Sequence, residues 1–158
     1  MTVKEENIML TFDGNQLVNT ENKKSIIIGA TISEVTDTVG NLVITQDDED
    51  EDLAYAEISN ATFGILTGTI YFGFQDNVLI DLRFAPTIPQ LVKESEGYEC
   101  CYTETECLNY LNNQIKKIAP LVEQLNEDFF YYQLDDRRIT VGTDSLMGDV
   151  YISQDYLI

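Results

Sequence analysis

Two rhythms alternate along this chain, a two-residue one that marks strands and a three-to-four-residue one that marks helices. Ile8, Leu10 and Phe12 point one way and Met9 and Thr11 the other, which predicts a strand. Asp13-Gly14-Asn15 is turn chemistry, so Gln16 to Asn19 is expected to return beside it. Ser25 to Ile28 is a short apolar run suited to a buried strand. Thr31-Ile32-Ser33-Glu34 forms a capping box, in which hydroxyl and carboxylate satisfy each other's backbone N–H groups. Ile32, Val35 and Val39 share one face of a short helix over residues 32–39, and Gly40 suits its αL end. Thr36 and Thr38 are weak helix formers, so this helix depends on tertiary packing.

Asn41 to Thr45 and Leu53 to Ile58 read as strands on either side of an acidic run. Leu66, Ile70, Phe72 and Phe74 line one face of the next strand, and Val78, Ile80, Leu82 and Phe84 one face of its partner. A two-residue turn at Asp76-Asn77 would set Phe72 opposite Asp81. The apolar rows therefore select a three-residue loop, Gln75-Asp76-Asn77, with Phe74 opposite Val78, Phe72 opposite Ile80 and Ile70 opposite Leu82. Thr69 then faces Arg83, and Tyr71 faces Asp81. Gly64, Gly68 and Gly73 suggest bends or bulges. Pro86 and Pro89 end the hairpin, and residues 87–102 read as a connection.

A second capping box, Thr103-Glu104-Thr105-Glu106, opens the main helix. Its apolar stripe runs Leu108, Leu111, Ile115, Ile118, Val122, Leu125. Pro120 within it predicts a kink near Lys116 or a split. Arg138 to Val141 and Asp149 to Ser153 predict a closing strand pair around residues 142–148. The expected fold is α+β. An antiparallel sheet of about six to eight strands packs against one long helix in the C-terminal half and one short N-terminal helix. A chain of 158 residues fits one domain, 1–158. Ile28-Gly29-Ala30-Thr31-Ile32-Ser33-Glu34-Val35 with Gly40, followed by antiparallel strands, resembles the opening of β-lactamase-inhibitor-like and outer-membrane-assembly lipoprotein modules. The resemblance is confined to residues 28–40. It implies a small helix-plus-meander binding fold and carries no functional residue across. Those modules are normally exported, whereas Met1 here is followed by Thr-Val-Lys-Glu-Glu-Asn, with no signal peptide, lipobox or apolar span. A cytoplasmic location is the expectation.

Charge changes the picture more than motif does. There are 28 Asp and Glu, 9 Lys and Arg, and no His, for a formal charge of -19. Removing the six charges of Asp47 to Asp52 still leaves 22 against 9, or -13. Direct binding to nucleic acid or to an anionic membrane is disfavoured, because phosphate recognition needs Lys and Arg. Without His, the commonest general base and metal ligand is missing. No P-loop, dinucleotide fingerprint, nucleophile elbow or S-x-x-K spacing occurs. Asp47 to Asp52 fails as an EF-hand loop, with Asp52 at the sixth position and Ile58 at the twelfth. Cys100, Cys101 and Cys107 lack a fourth zinc ligand and the redox C-x-x-C spacing, so they read as structural thiols. Glu99, Glu104 and Glu106 should raise the Cys107 pKa.

No catalytic, cofactor or metal residue is therefore assigned. The candidate partner-binding residues are Asp47, Asp48, Glu49, Asp50, Glu51 and Asp52, together with Tyr131, Tyr132, Asp135 and Asp136. Phe129 to Tyr132 cannot all face inward, and an exposed tyrosine beside acids is interface chemistry. Ordinary edge packing and a solvated loop are the alternatives. The expected function is a non-enzymatic acidic binding protein that neutralises a basic protein. It would be an immunity-type inhibitor of a cationic toxin such as a nuclease, or a nucleic-acid mimic that fills the groove of a nucleic-acid-binding protein. The alternatives are a structural or assembly module whose acidity serves solubility, and a carboxylate-based enzyme. Oligomeric state is left open.

Overall fold

The computed structural model describes residues 10–87, 103–144 and 149–156. Ile8, Met9, Pro89, Glu99, Cys100, Cys101 and residues 145–148 lie outside them. The described elements run β1 (Leu10–Phe12), β2 (Leu17–Asn19), β3 (Ser25–Ile26), α1 (Ile32–Val39), β4 (Thr45–Gln46), β5 (Leu53–Phe63), β6 (Leu66–Gln75), β7 (Val78–Pro86), α2 (Glu104–Ile115), β8 (Leu121–Asn126), β9 (Phe129–Leu134), β10 (Arg137–Asp144) and β11 (Asp149–Tyr156). The fold is α+β, dominated by one sheet of eleven strands in the order β3-β2-β1-β5-β6-β7-β11-β10-β9-β8. β4 lies off this path on β5. β1 runs parallel to β5, and the other pairings are antiparallel.

Both capping boxes form as the sequence dictates. Thr31 Oγ1 accepts from the Glu34 N–H, Thr103 Oγ1 accepts from the Glu106 N–H, and each glutamate reaches back. The expected long helix does not form. α2 is a twelve-residue helix that stops at Ile115, and residues 116–119 close in turns before Pro120. Proline lacks an N–H and clashes with the preceding turn, so the chain leaves the helix and enters β8. Val122 and Leu125, read as helix stripe, lie exposed on that strand. β8 and β9, not read as strands from the sequence, help raise the sheet above the expected six to eight strands. β3 lies within the expected strand at 25–28 and β4 begins at the end of the one expected at 41–45, but each is only two residues long.

The β6–β7 hairpin corrects the expected register. Its turn has two residues, Asp76 and Asn77, both at positive φ, so Gln75 faces Val78 and Phe74 faces Leu79. The register then slips by one residue at Ile80. That bulge sets Phe72 opposite Leu82, Ile70 opposite Phe84 and Tyr71 opposite Arg83. The conflict between a short turn and an unbroken apolar row is resolved by a bulge, not by a longer loop. Leu79, Leu82 and Phe84 are core, and Val78 and Ile80 are only half-buried.

The sheet curls on itself. Gln154 of β11 is fully buried on the core face; its amide nitrogen donates to the carbonyls of Gly14 and Asn15, at 2.8 and 2.7 Å, and its oxygen accepts from the Ile28 N–H at 3.0 Å. Arg137, at the start of β10, donates to the Asn15 carbonyl and to Asn15 Oδ1, at 2.7 and 2.8 Å. β11 lies four strands from β1 along the sheet. Laid flat, four strand spacings would separate them by about 19 Å. Only a strongly curved sheet brings the β1–β2 turn within reach of one glutamine. Inside the curve pack Phe12, Phe63 and Phe84, with α2 against β10 and β11. Gly14 has φ +91°, and a Cβ there would lie 2.3 Å from Ile115 Cδ1, so the turn rests directly on α2.

Gln154→Leu keeps the volume but strands the Gly14 carbonyl and the Ile28 N–H, while the Asn15 carbonyl keeps only Arg137. It should lower stability by about 2–4 kcal/mol in urea unfolding. The exposed Gln133→Leu should stay within about 0.5 kcal/mol. Equal stabilities for the two variants would remove Gln154 as the tie.

Candidate partner-binding surface

The acidic run is a built turn. Asp47 donates its N–H to the Leu53 carbonyl, and Asp47 Oδ1 accepts from the Glu49 and Asp50 N–H groups. Asp50 Oδ1 accepts from the Asp52 N–H. The carboxylates of Asp48, Glu49, Asp50, Glu51 and Asp52 sit on exposed residues, and Asp47 is half-exposed. The Asp76 N–H donates to the Asp52 carbonyl, which ties this loop to the β6–β7 turn. Asp76, then Asp50, push the Asp52 carboxyl above its ordinary range by repulsion between like charges.

Strand register shows where the second expected cluster lies. Asp155 pairs with Asp81, a few residues from the β6–β7 turn, and Arg137 pairs with Tyr156. The β9–β10 turn at Asp135-Asp136 therefore lies at the same end of the sheet as Asp76 and the 47–52 loop. Asp135 and Asp136 are exposed, but Asp135 Oδ2 lies 3.6 Å from Arg137 Nη2, which offsets part of its charge. Tyr131 is half-buried on the outer face, with Arg138 5.2 Å from its ring centroid. Tyr132, expected at the surface, is a core residue. It faces Ile139 and donates its hydroxyl proton to Asn112 Oδ1 on α2. Alternation along β9 puts neighbouring rings on opposite faces, so Tyr131 and Tyr132 cannot both serve a partner.

Two residue rows cross the outer face of the sheet. One runs Glu57, Tyr71, Arg83, Ser153, Thr140, Tyr131, and the next Tyr55, Gly73, Asp81, Asp155, Arg138, Gln133. The central charges answer one another. Arg138 Nε and Nη2 each reach Asp155 at 3.0 Å, and Arg83 lies 4.3 Å from the Tyr151 ring centroid. Burial raises the Asp81 pKa, Arg83 opposes that rise and Asp155 adds to it. Among the described residues, ion pairs join Lys24 to Asp37, Arg137 to Asp135 and Arg138 to Asp155, and none reaches the 47–52 loop. Among the described residues the six carboxylates of that loop therefore form a contiguous run with no ion pair.

Beside it opens a cleft of about 410 Å³ lined by Val43, Thr45, Tyr55, Ala56, Glu57, Tyr71 and Phe72. Val43 is 84% exposed, and the Tyr55 hydroxyl donates to Asp47 Oδ2 at 3.4 Å. Tyr55, Glu57 and Tyr71 were not singled out as site residues from sequence. Their signal is the alternation of small buried Ala54 and Ala56 with exposed Tyr55 and Glu57, which marks an outward row. Cys107 is buried in α2, and burial, then Glu106 and Glu104, push its thiol up. Among the described residues no helix is long and apolar enough to cross a membrane. No protein-family model, curated protein or solved structure matches this chain.

Burial pushes the Tyr132 hydroxyl up to about 12, against an ordinary value of 10.0. The folded state keeps this proton where the unfolded state releases it. Its stabilising effect is therefore full below pH 10 and is lost as pH rises toward 12, by about 2–3 kcal/mol. Tyr132→Phe should cost about 1–2 kcal/mol at pH 7 by stranding Asn112. It should then lose less than the wild type between pH 10 and 12. Parallel alkaline losses in urea unfolding would contradict this.

Proposed function

We propose that this chain is a non-enzymatic acidic binding protein that neutralises a basic protein, either a cationic toxin such as a nuclease or a nucleic-acid-binding protein. The observation that carries this reading is the gathering of Asp47 to Asp52, Asp76, Asp135 and Asp136 at one end of the sheet, where, among the described residues, no ion pair reaches the 47–52 loop. Charge of one sign concentrated in this way steers an oppositely charged partner and orients it before contact. Backbone N–H groups hold the Asp47 and Asp50 carboxylates in place, which lowers the entropy lost on binding. A second reading, an assembly module, is favoured by one feature. β8 has β9 on one side and, among the described residues, no strand on the other, and it exposes Leu121, Val122 and Leu125.

The full chain, used as bait in its own cell's lysate, should retain a strongly basic protein at low salt and release it as salt rises. Neutral Asn and Gln replacements at Asp47, Asp48, Glu49, Asp50, Glu51 and Asp52 should slow association with that protein by about tenfold at low salt in stopped-flow. Association at the wild-type rate would reduce the loop to a solvated turn. Salt-independent self-association lost on Val122→Lys would favour the assembly reading.

A further inference from the structure

The edge of β5 is incompletely covered. β4 pairs with it only at Ala54 and Tyr55, and β1 only at Ala61 and Thr62. Among the described residues no strand lies beside residues 56–60. The cleft opens where the chain leading into β4 leaves this edge, with Val43 and Thr45 on one side and Tyr55, Glu57 and Tyr71 on the other. Gly73 is the strand partner of Tyr55 and Glu57 is the partner of Tyr71. A glycine opposite Tyr55 leaves no side chain to fill the space beside its ring.

We infer that this cleft receives an extended, arginine-bearing segment of the basic partner. The inference rests on the binding reading above and names its contact site. Each part of the cleft matches one part of such a segment. The uncovered edge of β5 suits an extended backbone. Val43 and the tyrosine rings suit the segment's apolar atoms and the flat face of a guanidinium. Asp47 and Glu57 flank the rings with carboxylates that a guanidinium binds at two points, which an ammonium does not. Like-charge crowding among Asp50, Asp52 and Asp76 adds to the local negative potential.

The test uses the full chain, labelled for NMR, and a short capped peptide alternating valine and arginine. A second peptide carries citrulline in place of arginine, with the same shape and no charge. The expected result is amide shifts confined to residues 43–47, 54–58 and 70–73. Affinity should fall by about tenfold for Tyr55→Ala, for Glu57→Gln and for the citrulline peptide. The same spectra report whether each variant remains folded, and Glu57→Gln is near-isosteric. Shifts spread over every acidic loop, with unchanged affinity in both variants, would overturn the cleft while leaving the binding of basic proteins in place. No shift with either peptide or with polyarginine would overturn both.

Discussion

The Gln154 side chain holds together parts of the chain far apart in sequence. Its amide accepts from Ile28 and donates to Gly14 and Asn15, and Arg137 binds Asn15 beside it. These are polar groups on the core face of a sheet, where an unmade hydrogen bond is costly and a made one is strong. A flat sheet could not satisfy them, because it would carry the β1–β2 turn far from β11. The curled form satisfies them and at the same time encloses the Phe12, Phe63 and Phe84 rings under α2. Polar satisfaction and apolar burial thus select the same curvature.

That curvature decides where charge can go. With the concave face filled, Tyr55, Glu57, Tyr71, Asp81, Arg83, Arg138 and Asp155 lie on the convex face, while Arg137 stays on the core face beside Gln154. In the middle of that face Arg138 takes Asp155, and Arg83 offsets Asp81. At the β5 margin, among the described residues, no ion pair reaches the acidic loop, which stands beside exposed aromatic and apolar surface. An acid-rimmed, tyrosine-lined cleft at the edge of a sheet has the composition of a protein interface, with aromatic anchors inside and charge around them. The negative field of the whole chain would then act at long range, and the cleft at contact.

Local chemistry was legible in the sequence where few residues decide the outcome. The two capping boxes, the 32–39 helix and the apolar rows of β6 are set by neighbours within four positions. Elements decided at long range were not legible. Val122 and Leu125 carry a faultless helical spacing, yet Pro120 and pairing with β9 make them strand. The Ile80 bulge is invisible because sequence shows only the conflict between turn and apolar row, and two geometries resolve it. Of the candidate site, Asp47 to Asp52, Asp135 and Asp136 are surface residues at one end of the sheet, as their composition suggests. Tyr132 is not, since only the strand state of β9 separates it from Tyr131. Gln154 and Arg137 look like ordinary polar residues in a strand pattern, and their partners lie more than a hundred residues away.

The central claim is that one end of the curled sheet, with its adjoining cleft, is the surface that meets a basic protein. Hydrogen–deuterium exchange of the full chain, alone and with the basic protein it retains, tests this most directly. The account predicts protection at residues 43–57 and in the β6–β7 and β9–β10 turns, with β8 unchanged. Protection centred on β8, with the acidic loops exchanging as in the free chain, would contradict it.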